Sequence, residues 1–369
     1  MSRVLIEPAD YATCLAAVRK AMKTFPQDLT GKKVLIKPNV LRIAQPEEGI
    51  VTHPAVLQAV VQAVKEEDPA SIIVGDNPGL FNYGDNERCF EQTGLMQAAG
   101  GYYQNIGTES VQMDFDPTLL PQVGVSKAVL DADVVISLPK FKTHGLTVIT
   151  GAIKNSYGIL PGGLKAKLHK AAGTPERFQE AIVDVFRLRV PDLFIMDAVL
   201  GMEGNGPASP DLRDIGCILA ADNAVAMDAV MSAMMGLEPG RLRSLQKARE
   251  LGLGDFDLQN IEIIGKLKHI PDFKLPPLSG EHHMDNEEIQ GLLGAKAGLK
   301  PQADPELCTA CAECIEHCPV SALSMGNDGI PEVDADTCIT CFCCQEMCPE
   351  KAMSLQEFRP QTRPRPERP

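Results

Sequence analysis

Nine of the twelve cysteines in this 369-residue chain fall between Cys308 and Cys348. Within CTACAECIEHCP, Cys308, Cys311, Cys314 and Cys318 follow the spacing C-x2-C-x2-C-x3-C-P, and CITCFCCQEMCP repeats it with Cys338, Cys341, Cys344 and Cys348. Three thiolates set two residues apart can wrap a loop around one iron–sulfur cube, whose fourth iron is then met by a cysteine from elsewhere. Zinc is the competing reading, since eight thiolates could build two tetrahedral centres, but zinc ribbons have no need of this triple spacing. Crowded thiols of this kind fit a reducing compartment, where they bind metal rather than pair as disulfides. Cys343 falls between two candidate ligands and reads as a spectator, while Cys14, Cys89 and Cys217 are scattered and read as small buried hydrophobes.

A second concentration of chemistry is the run PKFKTHGLTVITGAIKNSYGILPGGLKAKLH, residues 139–169. It holds five lysines (Lys140, Lys142, Lys154, Lys165, Lys167), two histidines (His144, His169) and no acid, in a chain of net charge -14. Lysine ammoniums and the backbone N–H groups around Gly162 and Gly163 could cradle a phosphate or carboxylate. Lys142, His144, Lys154 and His169 are the candidates for contacting a substrate, with a histidine as proton donor. Lys37 with Asn39, and Thr52 with His53, would enter from neighbouring strand ends to complete the site of a bound anion or cofactor, and Asp76, Asp197 and Glu203 would supply carboxylates at its rim for general acid–base work. Loop lysines are more often solvated, however, and the glycines of GILPGG lack the spacing of a phosphate fingerprint and could be plain turn residues.

These residues need elements to hold them. The first 280 residues alternate short apolar runs with longer amphipathic ones, which predicts an α/β domain: a mostly parallel sheet covered by helices. Strands are expected at 34–38, 71–75, 133–138, 193–198, 217–221 and 261–265. Helices are expected at 54–66, 88–99, 175–188, 224–235 and 239–251, the last opening on a proline suited to a first turn. The candidate residues then follow strands directly, where ligands bind in such sheets. The expected division is an α/β domain over 1–265, a linker over 266–303 with a charged helical piece at its end, a small α+β cysteine domain over 304–355, and a disordered Pro/Arg tail over 356–369.

Composition narrows the function. The acidic balance and pI near 5.0 argue against nucleic-acid and anionic-membrane surfaces. Nothing at the amino terminus reads as a targeting segment, and no run approaches the roughly 20 apolar residues that span a bilayer, so a cytoplasmic protein is expected. No G-x-G-x-x-G follows the first strand and there is no tryptophan, which leaves neither a dinucleotide fingerprint nor an obvious flavin platform.

The cysteine segment, with the proline after each fourth cysteine and the apolar stretches VSALSM and KAMSL expected to pair as strands, closely resembles the bacterial two-cluster ferredoxins. That resemblance implies two 4Fe-4S clusters with exchanged fourth ligands: Cys308, Cys311, Cys314 and Cys348 for one, Cys338, Cys341, Cys344 and Cys318 for the other. The first 265 residues resemble domain-of-unknown-function family 362, often fused to such a module. The resemblance is carried by LIKPNV, VTHPAV, VGDNPG, SLPKFKTHGLTVITGAIKNSYGILPG, MDAVLGMEGNGP and AADNAVAMDAV, in that order. GAIKNSYGILPGG is also similar, over about a dozen residues, to a segment of the lactate racemase amino-terminal domain whose lysine holds a nickel-pincer nucleotide.

Two functions are compatible with these features. One is an iron-sulfur oxidoreductase that passes electrons to or from an anionic substrate or cofactor in the large domain, oxygen-sensitive and suited to anaerobic cells. The other is a ferredoxin-like electron-transfer protein whose large domain docks a redox partner protein or senses a ligand. The first needs the basic run concave and shielded from water; the second needs it flat and exposed.

Overall fold

The computed structural model describes residues 1–79, 85–276, 299–338, 341 and 343–357. The chain divides into two compact units, residues 1–280 and 281–369. In the first unit the strands are β1 (Ser2–Pro8), β2 (Lys33–Pro38), β3 (Ser71–Val74), β4 (Ser110–Asp114), β5 (Gln122–Ser126), β6 (Val134–Leu138), β7 (Lys140–His144), β8 (Val148–Ile149), β9 (Leu193–Met202), β10 (Leu212–Ala221) and β11 (Ile261–Gly265). The main sheet has the order β11-β1-β10-β9-β6-β2-β3, with β7 also paired to β9. β3, β2, β6 and β9 run parallel, β10 is antiparallel to β9 and β1, and β11 is parallel to β1. β4 and β5 form a separate hairpin.

Continuous burial along β2 and β6 is what a sheet covered on both faces requires. Helix Pro54–Lys65 begins on a proline and buries Val56, Leu57, Val60, Val61 and Val64 in a core shared with Val34 and Ile36 of β2. Helix Pro175–Leu188 starts in the same way, with the Thr174 side chain accepting from the Arg177 amide.

Some expectations are corrected. The helix expected over 88–99 is two, Asp85–Gln92 and Leu95–Ala98, separated at Gly94, whose φ of 75° no right-handed helix allows. The segment 239–251 opens with a 3-10 turn, Pro239–Arg241, before helix Arg243–Glu250. β9 and β10 are longer than expected, and β1 and helix Cys14–Thr24 were not anticipated. The basic run is ordered secondary structure: β7, β8, helix Gly151–Asn155, a 3-10 turn Ser156–Ile159 and helix Leu164–Ala172.

In the second unit β12 (Leu299–Ala303) pairs antiparallel with β15 (Met353–Glu357), and β13 (Leu323–Met325) with β14 (Pro331–Val333). The VSALSM and KAMSL segments therefore do not pair with each other. Each closes on the strand that precedes the opposite cysteine run, so the expected linker ends before Leu299. The helical piece expected at the end of that linker and the tail from residue 358 lie outside the described residues. Among the described residues no helix is long and apolar enough to cross a membrane.

Candidate functional site

The chain passes from β2 to β3 on one side, then places β6 on the other side of β2, so a topological switch point opens at the carboxyl ends of β2 and β6. Polar groups fill it. Lys37, at the end of β2, puts its Nζ 2.7 Å from Asp76 Oδ1, with both side chains almost fully buried. Asp76 Oδ2 accepts from the Val40 amide at 2.9 Å. Burial pushes the Lys37 ammonium down and the Asp76 carboxyl up, while their mutual attraction works against both shifts. Gly158 must be glycine here, because a Cβ would run into Asp76 Oδ1 and come within 2.7 Å of Lys37 Nζ.

Beside this pair Asn39 Nδ2 donates to Asn155 Oδ1 at 3.1 Å, and Asn155 Nδ2 donates to Ser137 Oγ at 2.8 Å. That bridge ties the helix Gly151–Asn155 across β2 and β6. Lys165 Nζ donates to the Asn77 and Pro78 carbonyls at 2.6 and 2.5 Å, and Asn77 Nδ2 donates to Gly158 O at 2.8 Å. Among the described residues, the buried oxygens Asn39 Oδ1, Thr143 Oγ1, Thr150 Oγ1 and Ser156 Oγ have no hydrogen-bond partner.

A second cluster stands where β7 leaves β6. Lys140, fully buried, donates to Asp197 Oδ2 at 2.7 Å and to the Tyr11 hydroxyl at 3.2 Å. The Tyr11 hydroxyl also accepts from the Leu200 amide, and lies 3.5 Å from Asp197 Oδ1. The His53 ring stacks on Tyr11 at 3.6 Å, and its backbone amide donates to Asp197 Oδ2 at 2.9 Å. His53 Nδ1 accepts from the Ala55 amide, which places the ring proton of the neutral imidazole on Nε2. Burial raises the Tyr11 hydroxyl and lowers His53 and Lys140. Lysine, tyrosine, histidine and aspartate so joined can hold and move a proton.

The remaining sequence candidates divide. Lys142 Nζ donates to the Ile50 carbonyl at 2.7 Å, and His144 Nδ1 accepts from the Leu146 and Thr147 amides, so that this ring braces its own turn. Lys154 and His169 both approach Tyr157, at 6.0 and 5.7 Å, and the His169 ring also lies 3.8 Å from Phe178. Gly162 has a positive φ of 59° and Gly163 caps helix Leu164–Ala172, with open space where a Cβ would go, so both serve a turn. Glu203 is held by Arg213 and the Lys274 amide. Sequence reasoning missed Tyr11, Asn155 and Asp228; Asp228 accepts from the Ala152 and Ile153 amides at 2.5 and 3.0 Å. A separate cleft of about 280 Å³ lies at the opposite ends of the strands, lined by Lys33, Ser71, Asn105 and Lys127 among others. None of the nominated residues reaches it.

In the second unit, Cys308, Cys311, Cys314 and Cys348 line one cavity, joining three thiols of the first run to the last of the second. Burial raises the Cys314 thiol to about 11, and the neighbouring Cys348, Cys311 and Cys308 add to the rise. Cys344 is pushed up in the same way, and its neighbours include Cys341, Cys338 and Cys318. Among the described residues no three His, Cys, Asp or Glu side chains converge to hold a single ion. Four thiols lining one cavity, three from one C-x2-C-x2-C-x3-C run and one from the other, are a donor set that fits a cube. Cys343 packs against Cys341 within the same run. The amides of Ala322 and Ala352 donate to Cys318 Sγ and Cys348 Sγ, each at 3.2 Å. A 4Fe-4S cube bound by such thiols supplies one-electron redox chemistry.

Comparison with known proteins accords with both units. Residues 34–233 match the domain of unknown function DUF362, and residues 300–349 match the 4Fe-4S dicluster domain. A thylakoid-associated protein of Synechocystis sp. is 34% identical over 235 residues, covering 60% of this chain and 69% of that protein. A crystal structure of a Thermotoga maritima protein aligns with a TM-score of 0.42 at 12% identity, covering 63% of this chain and 60% of that one. The chain belongs to the DUF362 family and joins to that domain a 4Fe-4S dicluster domain, which makes it an iron–sulfur electron-transfer protein.

Proposed function

We propose that the protein is an iron–sulfur oxidoreductase whose large domain holds a phosphate- or carboxylate-bearing substrate or cofactor over the carboxyl ends of β2, β6 and β9. The reading rests on one observation: buried oxygens without partners, Asn39 Oδ1, Thr143 Oγ1, Thr150 Oγ1 and Ser156 Oγ, lie on the segments that follow β2 and β6, and the segment after β6 also carries the buried Lys140, Lys142 and Lys165. An unmatched buried polar atom costs roughly 1–3 kcal/mol, so a cluster of them belongs to a site built for a polar ligand. Lys165 supplies positive charge on one flank, beside the Lys37–Asp76 pair, and Tyr11, His53 and Lys140 supply a proton on the other.

The alternative, a docking or ligand-sensing module that relays electrons between proteins, needs a flat basic surface. Lys140, Lys142 and Lys165 are buried, which favours the enclosed site. A cytoplasmic location and a redox partner protein belong to the same proposal.

Native mass spectrometry of the intact, anaerobically purified protein tests the reading, followed by thermal melting with pyrophosphate and with succinate. A retained ligand, or a saturable rise in Tm that Asn39→Leu abolishes, is the expected result. A protein that retains no ligand and does not respond to either anion removes the anion-site reading.

A further inference from the structure

The two halves of the cysteine unit repeat at an offset of thirty residues, Asp304 with Asp334, Cys308 with Cys338 and Ala322 with Ala352. The repeat extends to contacts. The Asp304 amide donates to Ala352 O at 2.9 Å and the Asp334 amide to Ala322 O at 2.8 Å, and each aspartate carbonyl accepts from the first cysteine of its own run at 2.9 Å. Each fourth cysteine sulfur accepts from the alanine amide four residues on, in both cases at 3.2 Å.

The charges do not repeat. Lys300, on β12, is buried and donates from Nζ to the carbonyl of Cys338 at 2.8 Å. Its counterpart thirty residues later is Ile330. That position approaches the first run in the same manner: Gly329 faces Ala310, and Pro331 lines the cavity of Cys308, Cys311, Cys314 and Cys348. Glu350 lines that same cavity, while its counterpart in the other half is Val320. One acid opposes this trend, since Glu346 is buried in the second run whereas its counterpart Glu316 is exposed.

A cube gains one negative charge when it is reduced, and a fixed cation nearby in a poorly screened interior favours the reduced form. We propose that Lys300 sets the two clusters apart, raising the reduction potential of the one held by the run that begins at Cys338. The electron then rests preferentially on that cluster, and the cluster beside Glu350 is the stronger reductant. Lys300 acts through charge and position, as a tuning residue rather than a ligand. The inference rests on the electron-transfer role of the unit, which iron and sulfide content of each variant checks separately.

The test is film voltammetry with an EPR-monitored titration of the full-length, cluster-loaded protein. Lys300→Met should move one of two one-electron waves to lower potential and leave the other in place, while Lys300→Arg should leave both near their original positions. Ile330→Lys should raise the wave that Lys300→Met does not touch. This variant decides the matter even if Lys300→Met fails to load its clusters. Unmoved waves in Lys300→Met, equal displacement of both, or no response to Ile330→Lys would overturn the proposal.

Discussion

Asp228 shows how one side chain can hold a site it does not line. It sits on helix Ala224–Met234 and grips the amides of Ala152 and Ile153 next to Gly151, whose φ of +60° sends the chain into the turn over the switch point. Burial lifts its carboxyl to about 7, with the two amide bonds pulling the other way. Because the folded value lies above the unfolded one, the folded protein binds the extra proton between about pH 4 and pH 7, and this contribution to stability falls as pH rises through that window. Asp228→Asn should flatten that segment of the profile, seen as a smaller difference between urea unfolding at about pH 5 and at about pH 7.5. Asp228 stands in the AADNAVAMDAV motif, but no pattern assigned it a role, because its partners are backbone amides of a distant segment, and Tyr11 lies in a polar stretch without pattern. The cysteines were legible because their chemistry fixes their spacing.

At the scale of elements, β7 is instructive. KFKTH puts charged or polar side chains at four of five positions and yet is buried throughout, because Lys140 is matched by Asp197, its register partner on β9, and Lys142 by a carbonyl. Hydrophobic alternation cannot reveal such a strand, so the basic run read as a loop. Helix Pro175–Leu188 announced itself through its proline and apolar period, and β2, β3 and β6 through apolar runs. Lys140→Met alone should cost about 3–5 kcal/mol of stability, since it strands a buried carboxylate. Lys140→Met combined with Asp197→Leu should recover much of that loss in chemical denaturation, which identifies the pair as coupled. If the double variant is no more stable than the single one, the ion pair does not join β7 to β9.

For the whole molecule, the two units depend on different sources of stability. The first has an extended core drawn from β2, β3, β6, β9 and the helices that cover them. Among the described residues, the core cluster of the second is Cys314, Leu323, Cys344, Cys348, Ala352 and Met353, three of six being cysteines. Cluster removal by an iron chelator under oxidising conditions should therefore release residues 299–357 to fast amide exchange and leave the protection of β2, β6 and β9 intact, read by hydrogen-exchange mass spectrometry. Loss of protection in both units together would show that the large domain also needs the metal.

The thiols around the first cavity come from both cysteine runs, and this makes the module an interlock rather than two sites in series. A single hydrolytic nick in the exposed turn at Asn327 and Asp328 would sever the chain without separating its pieces, because both strand pairs cross the nick and thiols from both pieces line one cavity. Two such fragments made apart should find one another far more readily with iron and sulfide present than without.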